Sequence, residues 1–146
     1  MKLTLSVSYG VGILLRILEH SNGGPMTAAK ISRGCRFPPR FLYRVLHKLV
    51  NAGLLNGTSG PSGGYALARR PERITLLDIV GGVEAGPEPS VLTPVSPRQR
   101  PAIAHVNRLC RQSVERFAAE LRHVSLADLG RMGHARRKPR ARSRRR

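Results

Sequence analysis

Residues 38–51 read PPRFLYRVLHKLVN, and the fold turns on how this stretch is interpreted. Its apolar residues Phe41, Leu42, Val45, Leu46, Leu49 and Val50 recur at i, i+4 and i+8, on one side of a 3.6-residue turn. Arg40, Tyr43, Arg44 and His47 lie opposite, with Lys48 on the flank. Pro38 and Pro39 suit the start of a helix, because the amides they lack would have no partner in a first turn. The spacing predicts an amphipathic helix whose polar face carries cations, a hydroxyl and an imidazole. Such a face is either an ordinary solvated surface or one that enters a DNA major groove, and the flanking sequence decides between the two.

Upstream, residues 3–20 become strongly apolar from Tyr9, with Val11, Leu14, Leu15 and Leu18 at helical spacing, and the cluster Ser21-Asn22-Gly23-Gly24-Pro25 stops the helix they predict. Thr27 is placed to accept hydrogen bonds from the first amides of a short helix reaching about Arg33. Residues 34–37 then form a turn into the helix at Pro38, which completes a helix-turn-helix. Downstream, Gly53 ends that helix. Leu54–Thr58 and Tyr65–Ala68 read as two strands around the tip Ser59-Gly60-Pro61-Ser62-Gly63-Gly64. A hairpin directly behind a helix-turn-helix reads as the wing of a winged helix, whose glycine-rich tip exposes backbone amides to phosphate.

Thr75 and Asp78 have the spacing of a capping box, and Ile74, Leu76, Leu77, Ile79, Val80 and Val83 would pack a short helix against the preceding unit. Residues 85–101 hold five prolines and predict a loop. From about Arg98 to Arg122 a long amphipathic helix is expected, with Ile103, Val106, Leu109, Val114, Phe117, Leu121 and Val124 forming its apolar seam. A seam beyond the winged-helix core has only a partner to pack on, and a homodimer through residues 102–124 is the economical expectation. Ser125 and Asp128 cap a closing helix. The expected fold is thus mainly α with a small β-hairpin wing, a winged helix-turn-helix plus a long C-terminal dimerisation helix. Its parts are a DNA-binding domain at 1–84, a proline-rich loop at 85–101, the dimerisation and closing helices at 102–130 and a disordered basic tail at 131–146.

Charge points to the same partner. The 146 residues hold 26 Lys+Arg against 8 Asp+Glu, a formal +18. Nine of the cations fall in residues 131–146 with no acid, and nine more in residues 27–73 with the single acid Glu72. Polyanions are the natural ligands, with double-stranded DNA ahead of an acidic membrane. Cys35 and Cys110 are too few for a disulfide framework, and Arg16 and Glu19 interrupt the N-terminal apolar run, so neither secretion nor membrane insertion is expected and a reducing cytoplasm fits.

The segments MKLT with Tyr9, TAAKIS, PPRFLYRVLHKLVNAGLL, SGPSGGYALAR, ITLLDIVGGVEA and VSLADL resemble the Rrf-two (IscR/NsrR-like) family of bacterial winged-helix transcription regulators, from Met1 to about Asp128. The resemblance implies a homodimer with wing and second helix on DNA. It also implies an iron-sulfur cluster held by cysteines, but the corresponding positions here fall at about Leu92, Arg98 and Ala104, with Asn107 where one member has a ligating histidine. Iron-sulfur clusters need thiolate or imidazole ligands, so no cofactor is expected. Ser59 stands where relatives commonly carry an arginine before the wing, and Ser62 replaces a glycine, so the operator need not be one that a relative reads.

The expected DNA-binding residues are Thr27, Pro39, Arg40, Tyr43, Arg44, His47 and Lys48, with Ser59, Gly60, Pro61, Ser62 and Gly63 in the wing. Arg40, Tyr43 and Arg44 would read bases, while Thr27, Lys48 and the wing amides around Gly60–Gly63 would hold the backbone. An enzyme is not expected. The five histidines, His20, His47, His105, His123 and His134, are scattered, no nucleophile–base spacing occurs, and the glycine-rich segment lacks the lysine of a phosphate loop. Two alternatives remain. One is a general nucleic-acid or nucleoid protein driven by the tail. The other is a redox or metal sensor with atypical ligands such as His105 and Cys110, which lie five apart.

Overall fold

The computed structural model describes residues 3–20, 24–33 and 38–135. Helices α1 (Leu5–Glu19), α2 (Ala28–Ser32) and α3 (Pro39–Asn51) are followed by strands β1 (Leu55–Thr58) and β2 (Gly64–Leu67). Next come α4 (Leu76–Val83), a long helix α5 (Arg100–His123) and a closing helix α6 (Leu126–Ala135), with single 3-10 turns at Pro71–Arg73 and Pro97–Gln99.

Local chemistry sets most of these boundaries. The Thr4 hydroxyl accepts from the Ser6 amide at the start of α1, and Thr27 accepts from the Lys30 amide at the start of α2. Helix α3 begins on Pro38 and Pro39. It ends where Gly53 turns left-handed (φ 65°), with Gly53 N–H donating to Val50 O and Leu54 N–H to Leu49 O. That pair of bonds satisfies the last carbonyls of the helix, and the positive φ suits glycine.

The core forms where five helices and the hairpin converge. Ile13, Leu14 and Ile17 of α1, Ile31 of α2, Leu42, Val45, Leu46 and Leu49 of α3, Leu54, Leu55, Ile79, Val83 and Leu126 are all buried in one cluster. Each such side chain contributes about 1.5–3 kcal/mol by leaving water. The inward side of α1 differs from the expected Val11, Leu14, Leu15 and Leu18: Val7, Gly10, Ile13, Leu14 and Ile17 are buried, and of the expected set only Leu14 is fully so. Helix α1 touches α2, α3, α4, α6 and β2, so its buried arc is wider than a single stripe. At Gly10 an added Cβ would lie 2.8 Å from Val83 Cγ2, which is why the closest approach of α1 and α4 is at a glycine.

The wing is pinned to the helical part. Strands β1 and β2 pair antiparallel in the register Leu55↔Leu67 to Thr58↔Gly64. Met26, between α1 and α2, adds a bridge to Tyr65: each amide donates to the other's carbonyl at 2.9 Å. Gly64 (φ 151°) makes this approach possible, since a Cβ there would sit 2.8 Å from the Met26 carbonyl.

A second bridge closes the C-terminal part. Leu76 N–H donates to Val124 O and Leu126 N–H to Ile74 O, both at 2.8 Å. This sets the N-termini of α4 and α6 side by side, each with its own capping box: Thr75 with Asp78, and Ser125 with Asp128. Helix α6 runs to Ala135, so the boundary expected at Arg131 falls inside a helix; the side chain of Arg131 pairs with Asp128 one turn earlier. Helix α5 runs Arg100–His123, close to the expected span from about Arg98 to Arg122, with Pro97–Gln99 forming a helical turn that leads into it; the domain boundary at 102 falls inside the helix.

The Ser125 hydroxyl and amide, followed by Arg131, hold the Asp128 carboxyl below its ordinary value of 3.8. A carboxylate with a depressed native pKa contributes stability that is present above its unfolded pKa and is lost as pH falls through the native value. Asp128→Asn should therefore destabilise the protein at pH 7, with a difference from the wild type that shrinks as acid unfolding is followed below about pH 4. A constant difference across that range would contradict the assignment.

Candidate nucleic-acid interface

The outer face of α3 carries the expected reading residues. Arg40, Tyr43, Arg44 and His47 are all exposed, and Tyr43 keeps 58% of its surface. They are held from beneath rather than by one another. Phe41 packs edge-on to Tyr9 of α1, with ring centroids 5.4 Å apart and planes at 73°, and the Arg44 guanidinium lies 5.7 Å from the centre of the same Phe41 ring. A cation resting over an aromatic face keeps its charge in water while its direction is restrained. His47 Nδ1 lies 3.2 Å from the Asn51 side-chain nitrogen one turn on. If Asn51 donates, the imidazole proton sits on Nε2, leaving a donor on the outer edge of the ring.

Lys48 does not join this face as expected. Its amine donates to the Val83 carbonyl at 2.6 Å, at the C-terminus of α4. A lysine at the carbonyl end of a helix satisfies an orphan acceptor and meets the negative end of the helix dipole. Lys48 therefore ties α3 to α4 while its side chain stays exposed on the flank of the face. Its position on the flank of the amphipathic pattern was the sequence signal for this second role.

Helix α3 and the wing enclose a groove of about 430 Å³ lined by Tyr43, His47, Val50, Gly57, Thr58, Ser59 and Tyr65. Tyr65 was missed as a site residue. It stands opposite Gly57 in the hairpin register, and its ring lies 3.5 Å from where a Cβ on Gly57 would be, so the missing side chain on β1 is what lets an aromatic ring form one wall. A large residue paired across the strands from a glycine was the available clue.

The wing carries no ionic group: no charged residue occurs between Lys48 and Arg69. Its tip offers the exposed Ser59, Gly60, Pro61 and Ser62. The Gly63 amide does not act as expected, because it donates to Gly60 O at 2.9 Å and closes the tip turn. Positive charge lies instead at the base and sides. Thr27 is exposed at the start of α2, and Lys30, three residues on, is exposed beside it; Lys30 was also missed, although the i, i+3 spacing from Thr27 marks it. Arg69 donates to the Ala52 carbonyl at the end of α3, and Arg70 pairs with Glu72. The expected turn residue Cys35 lies outside the described residues.

A short helix, a second helix with a solvent-facing basic side, and a hairpin pinned beside it define a winged helix-turn-helix of the DNA-binding class. The comparisons agree. Residues 3–131 match the Rrf2 family, described as iron-dependent transcriptional regulators, and the chain belongs to that family. It is 32% identical over 130 residues to a Synechocystis protein named as an HTH-type transcriptional regulator, covering 88% of this chain and 87% of that one. It is 30% identical over 101 residues to CymR of Bacillus subtilis, covering 68% and 73% of the two chains. The solved structure of that CymR, described as a global cysteine regulator, superposes with a TM-score of 0.67 at 25% identity, covering 90% of this chain and 98% of CymR. The T. potens IscR structure shares the fold, with a TM-score of 0.69 at 22% identity, covering 97% and 94%. The protein is accordingly a DNA-binding transcription regulator of a family that does not comprise enzymes, and no helix among the described residues is long and apolar enough to cross a membrane.

The family description implies iron, and the residues do not fit it. Among the described residues no three His, Cys, Asp or Glu side chains gather as a metal site. Leu92, Arg98 and Ala104 offer no side-chain donor that iron would accept. His105, the imidazole nearest along the chain, has its Nδ1 3.1 Å from the Arg108 guanidinium, a cation that opposes a metal there. Cys110 is five residues further along α5 and half-buried.

If Lys48 joins α3 to α4, Lys48→Met should lower the urea midpoint by the equivalent of about 1–2 kcal/mol while leaving the salt slope of DNA binding unchanged. An unaltered midpoint with a slope reduced by about one would return Lys48 to the phosphates.

Proposed function

We propose that the protein is a sequence-specific regulator acting in the cytoplasm as a homodimer on double-stranded DNA, without an iron-sulfur cluster. The observation that carries the reading is the solvent-facing side of α3, where Arg40, Tyr43, Arg44 and His47 stand clear of the core beside a groove walled by the wing. Arg40 and Arg44 supply the donors that pair with guanine edges, and Tyr43 supplies a hydroxyl for a base edge or phosphate. Pro39 fixes the N-terminal turn of α3. Thr27, with Ser59, Gly60, Pro61 and Ser62 of the wing tip, sets the register on the backbone, and Gly63 shapes the tip that presents them.

The dimer is supported by α5. Val106 and Leu109 keep 37% and 48% of their surface, and with Val114 and Phe117 they line an open groove of about 580 Å³ that this chain leaves uncovered. A second copy related by a two-fold axis would bury that seam and place two reading helices on a two-fold site.

Titration of the full chain onto its own upstream DNA and onto random DNA, at two salt concentrations, tests the reading. A specificity ratio of at least about a thousand is expected, and a ratio near one at both salts would sink it. Arg44→Ala should cost about 1–3 kcal/mol on the specific site and much less on random DNA.

The alternative of a general nucleic-acid protein driven by the tail makes a separable prediction. Because α6 runs to Ala135, the truncation belongs after that residue, removing the eight cations of residues 136–146. The shortened chain should bind with a flatter salt dependence and the same footprint. Loss of all preference for the upstream site would favour the general binder.

A further inference from the structure

Resting on the reading of a cluster-free regulator, we propose that Asn107 is a positioning residue that clasps the loop preceding α5 onto that helix, so that the loop is held without iron and DNA binding does not depend on it.

The loop from Glu84 to Ser96 has no regular structure and would need a tie to stay against α5. Asn107 provides one at the first two turns of the helix. Its Oδ1 accepts from the Leu92 amide at 2.8 Å, and its Nδ2 donates to the Leu92 carbonyl at 2.9 Å. A carboxamide that takes both backbone groups of one residue reproduces the two-bond pattern of a strand partner and orients that residue as well as tethering it. A second tie lies three residues along: the Val95 amide donates to Gln99 Oε1 at 3.2 Å. Leu92 and Asn107 are also two of the positions at which the family resemblance would place cluster ligands. In this chain they bind each other, by hydrogen bonds that require no metal.

The clasp has a reach beyond the loop. The loop residues Glu88 and Ser90 form one wall of the α5 groove, opposite Val106, Leu109, Cys110, Ser113, Val114 and Phe117. Fixing Leu92 fixes that wall, and with it the surface that α5 presents to a second copy. At its other end the loop begins where α4 stops, at Val83, whose carbonyl is bound by Lys48 of α3. A loop anchored at both ends presents one dimer surface whether or not iron is available.

Hydrogen exchange on the full chain, with and without Asn107→Ala, tests the clasp. The Leu92 amide should lose about tenfold of its protection while α3 and α4 amides keep theirs, and Asn107→Asp, which retains an acceptor for that amide and loses the donor, should fall between. Unchanged Leu92 protection in both variants would overturn the clasp. The iron arm uses the wild-type chain and its upstream duplex: affinity should stay within about twofold when a ferrous chelator, or ferrous iron with sulfide under anaerobic conditions, is added, since the site lacks donors for either to act on. A change of tenfold or more in either direction would overturn the independence from iron. Failure of the regulator reading would look different, as equal binding to upstream and random DNA with the Leu92 result unaffected.

Discussion

Two hydrogen bonds between Met26 and Tyr65 govern how this protein can meet DNA. A two-stranded hairpin is marginal in water by itself, and a wing that swung freely could not fix a distance to the reading helix. Met26 lies immediately before α2, so its pairing with β2 places the wing relative to the helix-turn-helix rather than relative to solvent. Gly64 admits the contact because its lack of a side chain lets the two backbones meet. The groove between α3 and the wing inherits its width from that bridge. What lies within the groove is mostly uncharged, so the site combines a cationic helix with a neutral, hydrogen-bonding wing. Among the described residues, positive charge near the groove is carried by Lys30 of α2 and by Arg40 and Arg44 of α3.

Much of the architecture was legible because it is written in local rules. Pro38 and Pro39 marked a helix start, Gly53 a stop, and Thr75 with Asp78 a cap, and each depends on neighbours only a few residues away. The buried face of α3 followed from periodicity. What the sequence did not show depends on contacts between distant parts. Lys48 reads as one more basic residue on an exposed flank until Val83 is found within hydrogen-bonding distance of its amine, thirty-five residues along. Gly63 reads as an anion-binding amide until its partner within the tip is seen. Tyr65 became part of the site only through the strand register, and the inward arc of α1 through the number of elements packed around it. Helix α6 outran its expected end because a charge pair between Arg131 and Asp128 supports a turn that composition alone assigned to the tail.

The absence of cluster ligands was the opposite case, plain in the sequence but without a structural counterpart until Asn107 and Leu92 were seen together. An irregular segment is ordered against a helix at an entropic cost of about 1–2 kcal/mol for each residue fixed. Side-chain amides meet that cost in one amino-acid change and respond to nothing in the redox environment.

The bridge that joins Thr75 and Ser125 turns everything between them into a closed excursion. The chain passes through the core in α4, crosses the loop, runs the length of α5 and returns to within two hydrogen bonds of the start of α4. A detour whose entrance and exit are clamped together behaves like an insertion on a stem. Capping boxes fix both ends, Thr75 with Asp78 and Ser125 with Asp128, so the loop between α4 and α5 can change its length or chemistry while the clamp at its base keeps its own hydrogen bonds. In such a layout the loop can diverge while the helices that clamp its ends keep their places, and here the side chain of Asn107 ties the loop through Leu92.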